Sequence, residues 1–151
     1  MKDCKDLKTS IDKILDGIAN LVPVYLENEE ERIKANGNVA VCLIDDEGNI
    51  YGKIFGTDKG RGRESFRVAW IKASQVWITG VRTGEFERKV FNKEIMEEEF
   101  GIRKPDYIGW EGGQPITIGD GIVLSVGVSG LRGVSDLEIV VKASNNIYQT
   151  I

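Results

Sequence analysis

Histidine is absent from the 151 residues of the sequence, and its absence excludes more chemistry than any other feature of the composition. Ser-His-Asp and Cys-His nucleophile systems are excluded, as is every zinc site that needs an imidazole ligand. The side chain that most often transfers protons near neutral pH is also missing. Acid-base catalysis would fall to Asp, Glu, Tyr or Lys72, so the sequence leaves catalysis open and favours a binding role over an enzyme.

Cysteines and long apolar runs are scarce as well, and basic residues are fewer than acidic ones. The sequence has two cysteines, Cys4 in a polar segment and Cys42 in an apolar one, which indicates neither a disulfide framework nor a zinc site. Its 20 basic and 24 acidic residues give a net charge of −4, which disfavours a nucleic-acid partner. The longest apolar run, residues 39–44, is too short to span a bilayer, and the first residues lack the apolar core of a signal peptide. We therefore expect a cytoplasmic protein with no nucleic-acid or membrane partner.

The pattern of apolar residues predicts an α+β fold. Helical spacing predicts a helix over residues 5–22, which Pro23 is expected to end, and a second helical piece over 24–35. Two β-rich runs around a glycine turn predict a hairpin over 39–55. The other expected elements are helices over 64–81, 85–100 and 135–144, and short strands over 107–110, 115–118 and 122–128. Because the strands come as hairpins, we expect a mainly antiparallel sheet of about five strands.

Several local features complete this prediction. No repeat or linker interrupts the chain, so we expect one domain over 1–151, with residues 1–36 as a helical N-terminal segment. A tight turn is expected over 119–121, and Ser135 and Glu138 form a candidate capping box. The acidic runs over 27–31 and 94–99 are interpreted as solvated helix faces rather than metal sites.

Three glycine-containing segments are candidate ligand contacts. Residues 56–63 form a basic loop before a helix, and its Arg61 and Arg63 suit a carboxylate or phosphate. Residues 111–115 follow Trp110 and allow a planar group to approach the backbone closely. Residues 127–130 expose backbone N–H groups suited to an anion, although Ser129 has no histidine to activate it as a nucleophile. The alternative for residues 56–63 is a solubilising surface loop, for residues 111–115 a simple tight loop, and for residues 127–130 close packing.

Four short motifs occur one after another along residues 38–143. They are the strand and glycine turn over 41–48, Ser65-x-x-x-Ala69-x-x-Lys72-Ala73, Gly112-Gly113-Gln114-Pro115-Ile116, and Gly127-Val128-Ser129-Gly130 followed by Asp136. Over residues 38–143 this order resembles the GlcG/HbpS family, also described as heme-degrading or PduO C-terminal-like domains. The resemblance implies a profilin-like sheet with helices on both faces, a homodimer or higher oligomer, and heme or a corrinoid as ligand.

The family pattern carries over to this sequence residue by residue. The positions that match it are Lys72, Gly112, Gly113, Pro115, Gly127, Ser129, Gly130 and Asp136. The histidines that hold heme iron in some family members have no counterpart in this chain.

From the residues and the resemblance together, we expect a small-molecule binding module in a homo-oligomer. Its ligand would be a planar anion such as heme or another tetrapyrrole or corrinoid. The arginines would bind its carboxylates, and Tyr51, Trp70, Trp77 or Trp110 would contact its flat face. If iron is ligated, Tyr51 or Tyr107 would be the candidate ligand in the absence of histidine. The expected ligand-binding residues are Tyr51, Arg61, Arg63, Lys72, Gly112, Gly113, Ser129 and Gly130, with no catalytic or metal-binding residue.

The alternative is a protein of a different class. In it, the chain is an oligomeric scaffold or an accessory subunit of a metabolic system and has no cofactor of its own. The tryptophans and the second strand of the hairpin would then form a protein interface.

Overall fold

A computed structural model describes residues 4–119 and 121–148 of the chain. The elements in chain order are α1 (Cys4–Tyr25), α2 (Glu29–Ala35), β1 (Val39–Ile44), β2 (Ile50–Phe55), α3 (Lys59–Thr79), α4 (Thr83–Phe91), a 3-10 turn (Glu97–Phe100), β3 (Gly113–Ile118), β4 (Ile122–Ser129) and α5 (Gly133–Tyr148). None of the helices in these residues is long and apolar enough to cross a membrane.

The four strands form one sheet in the order β2-β1-β4-β3, and every neighbouring pair is antiparallel. The α+β class and the antiparallel sheet are therefore confirmed, with four strands in the described residues rather than about five. The missing strand is the one expected over 107–110. Its backbone bonds a side chain instead, because the Ile108 N–H donates to Gln75 Oε1 at 2.8 Å and the Ile108 carbonyl accepts from Gln75 Nε2 at 3.0 Å.

Helices cover both faces of the sheet, as expected. All six residues of β1 are buried, which is typical of a central strand packed on both sides. Its odd-numbered residues and alternate residues of β3 and β4 pack against α1 and α5 in the larger core. Its even-numbered residues, including Cys42, pack against α3. Burial raises the pKa of the Cys42 thiol to about 12, so this free cysteine is a small core side chain, as its sequence context predicts.

Small residues let the backbone of α3 lie directly against the sheet. Ala69 and Ala73 on α3 are fully buried, and Gly127 on β4 lies beneath them. A Cβ atom at Gly127 would overlap the Ala69 carbonyl oxygen and lie 2.7 Å from the Ala73 nitrogen. Trp70 and Trp77 on the same helix are 45% and 47% exposed, so they do not belong to its buried face.

Two helix boundaries in the first half of the chain differ from the sequence prediction. Helix α1 continues through Pro23 because Val22 is buried in the core and the Tyr25 hydroxyl donates to Glu138 on α5 at 2.5 Å. Helix α3 begins at Lys59, since the Asp58 side chain accepts from the Arg61 N–H at 3.1 Å and caps it. The predicted basic loop over 56–63 is therefore largely the first turn of a helix.

The other helix predictions were also partly wrong. The helix expected over 85–100 ends at Phe91, and Lys93 has a left-handed backbone with φ of 62°. Helix α5 begins at Gly133, so Ser135 and Glu138 form no capping box. The Ser135 hydroxyl donates instead to Glu31 at 2.8 Å. The turn expected over 119–121 includes Asp120, which lies outside the described residues.

The close contact between α3 and β4 generates a stability prediction. Gly127→Ala should lower the free energy of unfolding by about 2 kcal/mol or more, because the added methyl group overpacks the sheet against backbone atoms. Gly60→Ala is the matched control, since its Cβ would meet only Asp58 Oδ1 at 3.5 Å and the site is helical. It should leave the stability unchanged or raise it by about 0.5 kcal/mol in urea denaturation. Equal effects of the two substitutions would contradict this packing.

Candidate functional site

A cavity of about 420 Å³ lies where the end of β4 meets α2, α3 and the start of α5. Small-molecule sites in proteins have cavities of this order, about 300–1,000 Å³. The cavity is lined by Lys34, Val68, Lys72, Trp110, Glu111, Ser129, Gly130, Leu131, Gly133 and Asp136. It therefore combines an apolar wall with two lysines and two carboxylates.

A buried ion pair occupies one side of this cavity. Lys72 and Asp136 are each 3% exposed. The Lys72 ammonium donates to the Val128 carbonyl oxygen at 2.7 Å, and it lies 3.4 Å from Asp136 Oδ2. The other carboxylate oxygen, Asp136 Oδ1, accepts from the Leu131 N–H at 3.0 Å. The pair thus joins α3, β4 and α5 at one point.

Burial shifts the pKa values of both groups in the pair. Burial raises the pKa of Asp136 to about 7, although Lys72 and the Leu131 N–H act in the opposite direction. Burial also lowers the pKa of Lys72 from its ordinary value, and the charge of Asp136 offsets part of this effect. Strongly shifted groups that line a cavity are candidates for function rather than for packing alone.

Two glycines with positive φ make room for this arrangement. Gly112 has a φ of 124°, and a Cβ atom there would lie 2.7 Å from Lys72 Nζ and 2.9 Å from Asp136 Cβ. Gly130 has a φ of 121°, and its Cβ would lie 3.0 Å from Val39 Cα. Any other residue would meet both backbone strain and a steric overlap at either position. The glycines of the two motifs are therefore required by the ion pair and by the turn that leads into α5.

A second, smaller cavity of about 170 Å³ adjoins the first. The two cavities share Lys34, Val68, Ser129 and Gly130, and the smaller one adds Arg61. With its amide oxygen turned toward the guanidinium, Asn36 accepts from Arg61 at 3.0 Å, which holds the start of α3 against the end of α2. Cations from α2 and α3 therefore line one continuous depression.

Helix α2 is held in place by a buried carboxylate. Glu31 is 1% exposed, and it accepts hydrogen bonds from the Arg132 guanidinium, the Arg132 N–H at 3.2 Å and the Ser135 hydroxyl at 2.8 Å. Burial raises the pKa of Glu31, but these donors outweigh burial and leave the pKa below its usual range. The interpretation of residues 27–31 as a solvated face was wrong for Glu31, which connects α2 to the cavity loop before α5.

The structure brings part of the predicted set of ligand-binding residues together. Lys72, Ser129 and Gly130 line the larger cavity, and Arg61 lines the smaller one. Gly112 lies against the ion pair, and the Gly113 N–H donates to Thr83 Oγ1 at 3.3 Å behind it.

The other two predicted residues lie elsewhere. Tyr51 packs against the larger core on the opposite face of the sheet, where its hydroxyl donates to Asp45 at 3.3 Å. Arg63 is exposed on α3 and lines neither of the two cavities. The separation arises because α3 begins five residues earlier than expected, so Arg61 and Arg63 are fixed on a helix rather than carried on a flexible loop.

Several residues of the larger cavity were absent from the predicted ligand-binding set, and Lys34, Glu111 and Val68 are examples. Lys34 comes from α2, Glu111 precedes β3, and Val68 belongs to the face of α3 one turn before Lys72. No local motif marks Lys34, because its position depends on how α2 packs against α5. Asp136 carried a sequence signal, since the family pattern includes it.

Among the residues that the structure describes, the lining of the two cavities suits the acidic groups of a tetrapyrrole but holds no Tyr, Cys or Met, the usual iron ligands besides histidine. Lys34, Lys72 and Arg61 are suitable partners for carboxylates. Neither tyrosine considered for iron lines these cavities. Tyr107 is buried, its hydroxyl donates to Glu97 at 2.6 Å, and burial together with Glu97 raises its pKa to about 12, which disfavours tyrosinate.

The acidic run over 94–99 forms no metal centre. Glu94 lies 3.4 Å from Arg88, and Glu97 accepts the hydrogen bond from Tyr107. Residues 4–119 and 121–148 contain no group of three or more Cys, Asp or Glu side chains suited to hold a metal ion.

The fold and the site define a class of α+β proteins in which helices cover both faces of an antiparallel sheet, with a small cavity at the end of its second central strand. Among solved structures, the chain resembles a heme complex of PduOC at a TM-score of 0.59, with 16% identity over 91% of each chain. It resembles Klebsiella pneumoniae protein ORFY at a TM-score of 0.55, with 18% identity over 91% of this chain and 86% of that one. It also resembles a double mutant of Streptomyces reticuli HbpS at a TM-score of 0.50. The two chains are 18% identical, and the match covers 88% of this chain and 85% of that one.

The model of the family described as haem-degrading, HbpS-like proteins matches residues 21–145, and the chain belongs to this family. The family and the fold that the four motifs predict are thereby confirmed. No curated protein matches the sequence.

The buried carboxylate of α2 generates a second prediction. At neutral pH, Glu31→Gln should lower the free energy of unfolding by about 2 kcal/mol, because the neutral amide loses charge-assisted hydrogen bonds from Arg132 and Ser135. The pKa of Glu31 is depressed in the folded state, so its contribution is present above about pH 4.3 and is lost as the pH falls through the folded-state pKa. Urea denaturation at several pH values measures both effects.

Glu30→Gln is the matched control for this experiment. Glu30 is adjacent, also pairs with Arg132 at 2.9 Å, and has a side chain that is 73% exposed. Its substitution should change the stability by less than about 0.5 kcal/mol. A loss as large as that of Glu31→Gln would show that burial of Glu31 is not what makes its hydrogen bonds important.

Proposed function

We propose that the protein is a small-molecule binding module whose ligand is an organic anion with a flat apolar body. A tetrapyrrole with carboxylate side chains is the member of this class that the family favours. The ligand occupies the depression formed by the two adjoining cavities. Its acidic group lies near the lysines, and its apolar body lies along Val68, Leu131 and Trp110.

The observation that carries this proposal is the charge inside the cavity. The Lys72 ammonium is almost fully buried there, and Lys34 forms no ion pair with any described residue. The carboxylate Glu111 is paired with Arg82 at 3.2 Å, and no ion pair joins it to Lys34. A cation that is removed from water and incompletely paired favours an anionic ligand.

The apolar lining supports a ligand with a flat body. Val68 and Leu131 form part of the wall, and Trp110, which is 67% exposed, stands at the rim. An aromatic face exposed beside a cavity is suited to stacking on a planar ligand. One structural relative, PduOC, has been solved as a heme complex, which makes heme the first ligand to test.

Two arginines near the start of α3, Arg61 and Arg63, are expected to differ in their effect on hemin binding. Hemin titrated into the pure protein should give a saturable shift of the Soret band. Arg61→Gln should weaken hemin binding by at least about tenfold, because a charge-assisted contact to a carboxylate is worth roughly 1.5–3 kcal/mol. The measurement is the dissociation constant from the absorbance titration.

Arg63→Gln is the matched control, since it removes the same charge from the same helix two residues away, outside both cavities. It should change hemin affinity less than about twofold, because an exposed charge at a distance is screened by salt. An unshifted, non-saturating Soret band in the wild-type protein would exclude hemin as a ligand. Equal losses in the two variants would place the bound carboxylates outside the cavity.

A second candidate function is an oligomeric scaffold or accessory subunit, and an exposed apolar patch supports it. We define the β2–α3 patch as Ile50, Ile54, Phe66, Trp70 and Trp77. Four of these side chains are 45–54% exposed, and Phe66 packs beside Gly52 between β2 and α3. Strand β2 is also an edge of the sheet, with unpaired backbone groups along its outer side. An apolar patch beside a sheet edge is suited to contact with a second copy of the chain.

The fourth prediction tests this patch. The protein should be a stable homo-oligomer at micromolar concentration in light scattering, and Trp70→Glu should dissociate it, because a charge in an apolar contact is costly to desolvate. Phe91→Glu, at an 84% exposed aromatic residue on α4, is the control and should leave the oligomer intact. A wild-type protein that is monomeric under these conditions would exclude the scaffold function.

A further inference from the structure

The Lys72 ammonium has more hydrogen-bonding capacity than the protein uses. An ammonium group has three donors. One donates to the Val128 carbonyl oxygen at 2.7 Å, and a second makes a long contact of 3.4 Å to Asp136 Oδ2. No third acceptor for this group is present among residues 4–119 and 121–148. Because Lys72 lines the cavity, its remaining donor is available to a bound molecule.

Asp136 is a weakly placed counterion for this ammonium. Its closest approach to Lys72, 3.4 Å, is longer than the 2.7–2.9 Å typical of a charge-assisted hydrogen bond. Its other oxygen is used by the Leu131 N–H at 3.0 Å, which holds the carboxyl group in place whether or not it is ionised. The other charged groups that line this cavity are Lys34 from α2 and Glu111 from the segment before β3, which is itself paired with Arg82.

A second anion beside Lys72 would compete with Asp136. Two negative charges within about 4–6 Å in a poorly solvated site disfavour each other, and a carboxyl group responds by binding a proton. Burial already raises the pKa of Asp136 to about 7, so a small additional effect makes it neutral at physiological pH. The incoming anion then replaces Asp136 as the partner of Lys72, and the net charge of the buried site stays the same.

We propose that the anionic group of the ligand binds the Lys72 ammonium and that Asp136 takes up one proton from solvent as it does so. This inference rests on the proposed function, since it assigns the inner end of the same cavity. The ligand would carry a carboxylate or a similar anionic group, and its binding would be coupled to the uptake of one proton by Asp136. Lys72 is the binding residue, and Asp136 adjusts the charge of the site.

The fifth prediction uses the carbon-13 chemical shift of the Asp136 carboxyl carbon, titrated with pH in the full chain. Benzoate is the probe, because it joins one carboxylate to a flat apolar ring. At a benzoate concentration about ten times its dissociation constant, the titration midpoint of Asp136 should rise by about one pH unit. The affinity for benzoate should fall about tenfold for each pH unit above the Asp136 midpoint of the benzoate-free protein.

Asp136→Asn and Lys34→Gln are the variants that separate the roles. Asn keeps the shape and the acceptor for Leu131 but cannot take up a proton, so its benzoate affinity should not depend on pH in this range. Lys34→Gln removes the other cavity lysine, and it should weaken benzoate by a few-fold while the benzoate-dependent rise of the Asp136 midpoint remains. Lys72→Met should abolish the benzoate-dependent rise of the Asp136 midpoint. If this variant does not fold, the wild-type and Asp136→Asn measurements are sufficient to test the inference.

Each outcome of this experiment is decisive. An Asp136 midpoint in the ordinary carboxyl range, or one that benzoate does not move, overturns the inference whether or not hemin binds. A midpoint that benzoate raises, in a protein that does not bind hemin, supports the inference and refutes only the tetrapyrrole as ligand. Hemin binding together with an unmoved Asp136 retains the proposed function and removes the role of the proton.

Discussion

The buried ammonium of Lys72 is the constraint on which the rest of this structure depends. It is held by a carbonyl oxygen of β4 and by a carboxylate of α5, so three elements must meet within hydrogen-bonding distance. A long polar side chain reaches this point only because Gly127 lets α3 lie close to β4 and Gly112 leaves the space that the ammonium fills. The glycines of two separate motifs thus serve a single charged group.

Such an arrangement is costly to maintain for stability alone. Removing two charges from water costs several kcal/mol for each ion, and an apolar pair of similar volume would often be as stable. The Lys72 and Asp136 side chains are also 3.4 Å apart, which is too long for the best geometry, and they face a cavity rather than a packed core. A buried pair that is imperfectly matched and lines a cavity supports the proposal that an anion binds there.

The residues around the Lys72–Asp136 pair form two separate surfaces. Glu31 connects α2 to the loop before α5, which places Lys34 beside the cavity without leaving a carboxylate free to neutralise it. On the far side of α3, exposed tryptophans and the edge strand β2 form a separate apolar surface. Helix α3 therefore has two faces. The face that carries Arg61, Val68 and Lys72 lines the cavities, and the face that carries Trp70 and Trp77 is apolar and exposed.

The amino-acid sequence by itself determined the fold class, the central strand and the family. Continuous burial of residues 39–44 follows from their unbroken apolar pattern, and the hairpins that define an antiparallel sheet are local features. The motif glycines and Lys72 were also visible in the sequence, because they form short patterns. The tertiary structure alone decided which residues share the cavity: it brought in Lys34 through the packing of α2, and it separated Arg61 from Arg63 and from Tyr51. The reason is physical, since local patterns specify helices and strands, whereas the partners of a buried charge depend on contacts between residues far apart in the chain.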